Sequence, residues 1–419
     1  MKFIKSLKTG LFRATNLLAG VTTGYPLQTL TPLFYGGVTA SGQVVTTEKA
    51  LQLDAVFACV RLLSETVAGL PLKLYESDGD NTAKIARDHP LYNILTYRPN
   101  ADMTGITFWG AYIASLLLWG NAYAFITRNV TGNIVSLYPM LPSQVTVRRD
   151  QNGSFIYSYN YMGNVLTFAE EDVFHVRGFS LDGLSGLSPI TMARQSLGAA
   201  MAADETAHRQ FQNGLLTSTY IKAPTYLTEQ QREDAKIILQ RYSSAVNAGR
   251  SPLLEGGWSV ENIGLKPEDS QLLETRSFSV ETICRWFGVP PPLIGHMTKS
   301  TAWGTGLEQM NRWFLQYGLQ AWLTRIEQSI SRCLLSPTDH LKYYAEYNVD
   351  ALLRGDTTAR AQFYNAGRQN GWLTANEIRA KENLPPLPGG DVLTMQAQMI
   401  PATQAGNNQD KIEGDHATN

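Results

Sequence analysis

The sequence is short of charge. Asp, Glu, Lys and Arg supply 17% of its 419 residues, where about 25% is usual in soluble domains. A large chain this poor in charge must hide some of its surface, and subunit interfaces are the obvious place. No sign dominates either: 35 Lys and Arg stand against 36 Asp and Glu, a net charge of −1. That argues against a protein gripping nucleic acid by bulk electrostatics, because counterion release needs an excess of Lys and Arg. Cysteine is also scarce. Cys59, Cys284 and Cys333 form no C-x-x-C pair, so three buried thiols in a reducing compartment are expected rather than a disulfide framework. The six histidines are scattered, with no H-E-x-x-H and no i,i+4 pair, and no metal or other cofactor is expected.

Long apolar runs are missing too. The most apolar stretch, Ile106 to Trp119, is 14 residues, below the roughly 20 that a spanning helix needs. It reads as a core helix, and no membrane is expected as a partner. Lys2, Lys5, Lys8 and Arg13 precede Leu17 to Val21 as in a signal peptide, but that apolar run is too short to act as one. What is present excludes wholesale disorder: 43% of residues are hydrophobic and 10% aromatic.

Residues 1–45 read as a partly disordered arm. From Thr46 to Val67, Leu51, Val56, Val60, Leu63 and Val67 recur at helical steps, and Leu70 to Tyr75 alternates like a strand. A short helix between His89-Pro90 and Arg98-Pro99 precedes the apolar helix 105–119, which Gly120 ends. The period then changes to two. Six short strands over Ala122 to Val176 are separated by Thr131-Gly132-Asn133, Asn152-Gly153 and Gly163-Asn164, which suit tight hairpins. They predict an antiparallel meander beside helices, an α+β unit ending near residue 187. Ser188-Pro189 starts a helix to Asn213, Thr219 to Lys222 is strand-like, and Thr228-x-x-Gln231 is a capping box opening a helix through Ala245. Leu253 to Val260 predicts a strand pair around Gly256-Gly257. A second long helix runs from Pro267 to Phe287. Pro290 to Pro292 stop it. After a polar loop over 296–306, helical spacing resumes from Leu307 to Pro337, some 45 Å of continuous helix at about 1.5 Å per residue. Helices over Asp350–Gly367 and Thr374–Asn383 follow, and the tail from Gln396 is polar.

Catalytic motifs fail one by one. Lys299-Ser300-Thr301 lacks the glycines and leading strand of a phosphate loop. Gly183-Leu184-Ser185-Gly186 has Leu187 where a nucleophile elbow needs glycine. Glu170-Glu171-Asp172, with Asp182 nearby, reads as a solvated turn. Tyr157, Tyr159 and Tyr161 share one strand face, which could stack bases but more readily forms a packed sheet face.

Several short motifs carry a resemblance. Asp54-Ala55-Val56-Phe57-Ala58-Cys59-Val60, Leu70-Pro71-Leu72, His89-Pro90-Leu91 and Gly120-Asn121-Ala122-Tyr123 are similar to the N-terminal half of HK97-type phage portal proteins. Leu187-Ser188-Pro189-Ile190, Phe211-Gln212-Asn213-Gly214, Leu254-Glu255-Gly256-Gly257, Phe287-Gly288-Val289-Pro290-Pro291 and Asn376-Glu377-Ile378-Arg379 with Asn383-Leu384-Pro385-Pro386 continue it in order. The resemblance covers roughly residues 46–395.

It implies a portal fold: an α/β wing (46–187 with the long helix 307–337), a two-helix stem (188–213 and 267–287), a small α/β clip between the stem helices (214–266), a tunnel loop (296–306), a helical crown (338–395) and a disordered tail (396–419). It implies a ring of about twelve copies at one capsid vertex, through which double-stranded DNA passes non-specifically. The implied partners are the terminase large subunit, the major capsid protein and head–tail connector or adaptor proteins, in the host cytoplasm during assembly and then in the virion. The portal itself is not an enzyme in this reading. A different connector ring and a nucleotide-hydrolysing motor are the alternatives. The tunnel-loop position implies His296, Lys299, Ser300, Thr301 and Trp303 as channel residues. Arg232, Lys236 and Arg241 share roughly one face of the clip helix and are candidates for terminase docking. Gly198, Ala199, Ala200, Ala202 and Ala203 are small enough to let stem helices approach closely.

Overall fold

The computed structural model describes residues 38–77, 83–213, 219–222, 226, 228–233, 259–262, 269–297, 305–349, 357–382 and 384–394. The chain divides into two units, one reaching Tyr347 and one from Asn348 onward.

In the first unit, Thr46 caps a one-turn helix, Thr47–Ala50, by accepting a bond from the Lys49 N–H. The chain then extends at the buried Leu53 before helix α1, Asp54–Gly69. The single helix expected over 46–67 is therefore two, because Leu53 turns into the core between them. Val56, Cys59, Val60, Leu63 and Val67 form the buried stripe of α1, which packs on α2, Gly105–Trp119. Thr104 caps α2 and Gly120 ends it at φ +72°, a conformation that suits glycine. The Tyr112 hydroxyl of α2 is enclosed, 3.0 Å from the Ala122 carbonyl and 2.9 Å from that of Phe174.

Eight strands fall in this part: β1 Leu72–Ser77, β2 Ala83–Ile85, β3 Asn121–Arg128, β4 Ile134–Met140, β5 Val145–Arg149, β6 Phe155–Tyr161, β7 Asn164–Ala169 and β8 Val173–Arg177. The expected single meander is instead two antiparallel sheets, ordered β4-β3-β8 and β5-β6-β7. The reason lies in β8. Val173 to Val176 are buried in succession, and such a strand belongs against a covered sheet rather than on an exposed meander edge. It returns to β3, pairing Tyr123 with His175. Tyr157 and Tyr159 are buried with Phe155 and Phe168 in one cluster, and Tyr161 packs against it. The packed sheet face is what the structure contains.

Ser188 caps a short helix, Pro189–Met192. The backbone breaks at Ala193 (φ −79°, ψ 4°) before α3, Arg194–Asn213, so the expected helix 188–213 is also in two pieces. Next, β9 Thr219–Lys222 pairs antiparallel with β10 Ser259–Asn262. Of the strand pair expected over Leu253 to Val260, residues 253–258 lie outside the described residues, and Ser259 and Val260 belong to β10. The capping box is present, with Gln231 Oε1 accepting from Thr228 N at 3.0 Å. Helix α4, Asp269–Phe287, comes next.

The long helix is not continuous α-helix. It consists of α5 Thr305–Trp313, a π-helical stretch Phe314–Leu319, and α6 Gln320–Leu334. Strand β11, Tyr343–Tyr347, then pairs with β1 from Leu72↔Tyr347 to Glu76↔Tyr343. Residues 343–347 were expected in the crown; their alternation, burying Ala345 and Tyr347, joins them to the first unit. The second unit holds α7 Thr357–Gln369 and α8 Ala375–Lys381. A capping box of Thr374 and Glu377 starts α8.

One buried polar chain ties the two larger sheets to the approach to α3. His175 Nε2 donates to Asn121 Oδ1 at 3.1 Å, so His175 Nδ1 accepts from the Tyr157 hydroxyl at 3.2 Å. Asn121 meanwhile bonds both Gly186 O and Gly186 N at 2.8 Å. Burial, reinforced by Arg177 and Arg332, holds the His175 pKa well below its ordinary value. Its neutral form therefore belongs to the folded state. The unfolded chain takes up the proton first, so this contribution is complete above pH ~6.5 and declines as pH falls below that. Melting temperature should drop from pH 7 to pH 5, and His175→Gln should lower it at pH 7 while flattening the slope. An unchanged slope in the variant would assign the acid sensitivity elsewhere.

Candidate functional site

Helices α3 and α4 pack against each other, and Asp204 Oδ1 accepts from Arg276 Nε across them at 2.9 Å. The small-residue run divides by role. Ala200 is buried and, with Val280 and Ile283 of α4, lines a cavity of about 290 Å³. Ala202 and Ala203 are half-buried and Ala199 is exposed. Gly198 faces not α4 but the N-terminal segment: a Cβ there would lie 2.6–2.8 Å from three atoms of Thr39. Ala40 N donates to Gln195 Oε1 at 3.1 Å, and Gln43 bonds Glu205. Residues 39–43, expected to be part of a loose arm, thus lie along α3, and Thr39 is 4% exposed. No sequence pattern marked this contact. Its one signal was a glycine inside an alanine-rich helix, where helix propensity alone disfavours it by about 1 kcal/mol.

The end of α4 is similarly built. Gly288 takes φ +67°, and a Cβ on Gly318 would lie 2.8 Å from its carbonyl oxygen. The π-helical stretch of the long helix falls at this crossing, and such stretches often mark functional sites. Cys59 of α1 and Cys284 of α4 lie with their sulfurs 4.0 Å apart. Both thiols are free and buried; Cys333 is half-buried. The hydrogen bond with Cys284, followed by burial, raises the Cys59 pKa above the ordinary thiol range, and the same bond lowers that of Cys284.

After α4, a 3₁₀ turn over Pro291–Ile294 ends in Gly295 at φ +84°. His296 is half-buried and 3.2 Å from Ser277 Oγ of α4. It also lines the 290 Å³ cavity, so it anchors the start of the loop to the helix. Lys299, Ser300, Thr301 and Trp303 lie outside the described residues. Of the proposed docking residues, Arg232 is exposed and 3.9 Å from Glu229; Lys236 and Arg241 lie outside the described residues.

The rejected chemical motifs have structural roles. Asp182 accepts from Leu184 N at 2.9 Å and Ser185 N at 3.2 Å, shaping the Gly183–Gly186 loop. Glu170 was expected in a solvated turn; it forms an ion pair with Arg332 of α6. Among the described residues, no three His, Cys, Asp or Glu side chains could hold a metal, and no helix is long and apolar enough to cross a membrane.

The close fit at Gly198 is testable. Gly198→Ala should push Thr39 off α3 and raise amide exchange at Thr39 and Gly42 about tenfold. That corresponds to about 1.4 kcal/mol, within the range for overpacking. Unchanged exchange at both amides would show that the segment is held elsewhere.

Residues 54–383 match the family described as phage portal protein. The chain is similar to the portal protein of Enterobacteria phage HK97, 39% identical over 381 residues that cover 90% of each chain. It is also similar to a probable portal protein of Streptomyces phage phiC31, 37% identical over 369 residues, covering 85% of this chain and 79% of that one. Among solved structures, a neck of an empty gene transfer agent (GTA) particle computed with C6 symmetry aligns with TM-score 0.58 and 25% identity, covering 90% of this chain and 98% of that chain. A neck of a native GTA particle computed with C12 symmetry aligns with TM-score 0.56 and 23% identity, covering 92% and 99%. Matched over most of its length and sharing 39% of its residues with the HK97 portal protein, the chain belongs to the phage portal protein family.

Proposed function

We propose that copies of this chain, about twelve, form a ring at one capsid vertex through which double-stranded DNA is packaged and later ejected. The observation carrying this reading is near-complete coverage: the chain aligns along 90% of the HK97 portal protein. The solved necks that it resembles were computed with cyclic symmetry, which is consistent with a ring.

In this reading 46–187, the long helix and β11 form the wing, α3 and α4 the stem, 214–266 the clip, 296–306 the tunnel loop and 348–395 the crown. The helix crossing at Gly288 and Gly318 supports a rigid link between stem and wing. The tie from His296 to Ser277 supports a loop fixed at its root. Net charge of −1 suits a conduit, since DNA held by many phosphate contacts would not slide. Lys299 and its neighbours Ser300, Thr301 and Trp303 then face the DNA. Ala199, Ala202 and Ala203 face the next stem. Arg232, Lys236 and Arg241 present the clip to the terminase large subunit during packaging and to connector proteins afterwards, while the wing meets the major capsid protein.

Deleting 297–304 separates a portal from another connector ring. The variant should assemble as the parent does, while capsids carrying it should lose DNA packaging or retention by at least tenfold. Full packaging and retention with the deletion would contradict a channel role for this loop.

A further inference from the structure

Among its described residues, the second unit buries little apolar surface. Among the described residues 357–394, Leu373 is the one buried large apolar side chain. Hydrogen bonds do the ordering instead. Asn376 is buried, with Nδ2 donating to Leu387 O at 3.0 Å and Asp391 Oδ1 at 2.9 Å, while its Oδ1 accepts from Leu387 N at 2.8 Å. Its backbone N–H donates to Gly390 O at 3.0 Å, and a side chain on Gly390 would collide with the Asn376 amide. Glu382 accepts from the Tyr364 hydroxyl at 2.8 Å and pairs with Arg360 at 3.3 Å. Arg379 Nε donates to Pro385 O at 2.7 Å.

Six large apolar side chains remain outside this scaffold. Phe363, Trp372, Leu384, Leu387, Val392 and Leu393 are between 48% and 62% exposed. Together they leave apolar surface on the order of 500 Å² in water. A head-to-tail contact that buried all of it would supply roughly a third of the ~1,600 Å² total of a stable interface. A segment of this size with so little buried apolar surface is not expected to be stable alone. Among the described residues its local geometry is set by hydrogen bonds, and little hydrophobic burial accompanies them.

We propose that the missing cover is the next copy of this same chain, so that the segment 357–394 completes its core between neighbouring subunits. This rests on the ring reading above. Two features favour a second copy over a later-arriving partner. First, the apolar residues form two chemically different sets. Phe363 and Trp372 make an edge-to-face aromatic pair, ring centroids 5.0 Å apart, on α7 and the turn after it. Leu384, Leu387, Val392 and Leu393 are aliphatic and belong to the closing loop. A cyclic assembly of identical chains joins unlike surfaces head to tail, and an aromatic pair seated on an aliphatic set is such a contact. Second, a neighbour in the ring covers the segment as soon as assembly begins, whereas a late partner leaves it exposed throughout.

The test is amide hydrogen exchange on the full chain, with monomer and ring separated by size. Amides of α7 and α8 should exchange at least 100-fold more slowly in the ring than in the monomer, while those of α2 stay equally protected in both. Phe363→Ser with Trp372→Ser should remove the gain in α7 and α8 from rings that still form. In a second variant, Trp372→Cys with Leu387→Cys, oxidation should produce a ladder of linked subunits under denaturing conditions. Equal protection of α7 and α8 in monomer and ring would overturn the proposal, because the cover would then come from the chain itself. Rapid exchange in the ring until another protein is added, or cross-links confined within single chains, would also overturn it and leave the ring reading intact. Failure to form any ring would remove the ring reading and this proposal together.

Discussion

Backbone meets backbone where α2, β3 and the approach to α3 converge, and the first unit depends on that contact. Gly120 ends α2 in the left-handed region, and its position is crowded by the backbone of Gly186 and Leu187. Gly178 N donates to Gly120 O at 2.8 Å, and a Cβ on Gly178 would lie 2.9 Å from that oxygen. No side chain fits between these strands of backbone. The glycines let Asn121 reach Gly186 and hold His175 and Tyr157 in line behind it. The loop leading to α3 is thereby fixed to the sheet, rather than only connected to it.

A glycine pair works at the C-terminal end of α4. Gly288 and Gly318 let the long helix cross closely, and the π-helical stretch accommodates that crossing. Between the two glycine junctions, the Cys59–Cys284 contact and the Asp204–Arg276 pair join α1, α3 and α4. A force applied to the two packed helices would therefore reach the sheets through short, packed contacts. That suits the proposed conduit, because a passage must keep its shape while its cargo moves.

Much of this could be read in the sequence. Gly120 after a 15-residue apolar helix, Ser188-Pro189, Thr228 with Gln231, and the hairpin glycines near 132, 153 and 163 all act locally. Their chemistry decides conformation within a few residues. What was hidden depends on distant chain meeting distant chain. The path of β8 back to β3 followed from unbroken burial over Val173–Val176, which alternation alone does not reveal. The addition of β11 to β1 spans more than 250 residues, and only the alternating Tyr343 to Tyr347 hinted at a strand. For the functional site, the ordered motifs indicated the family, but the glycine at 198 did not say which segment it admits, and the anchoring of His296 had no local signature. Gly318 was a readable clue, since glycine inside a helical pattern asks for a close neighbour.

The shortage of charge now has a physical setting. The described residues leave Phe57, Phe278, Trp313 and Tyr317 well exposed on the first unit, and a neutral chain with such a surface calls for neighbours. Native mass spectrometry of the purified full chain, with electron microscopy of the same sample, tests this most directly. The account predicts closed rings of about twelve subunits around a central hole, with eleven or thirteen also acceptable in the absence of other capsid proteins. A stable monomer or dimer at high protein concentration would contradict it.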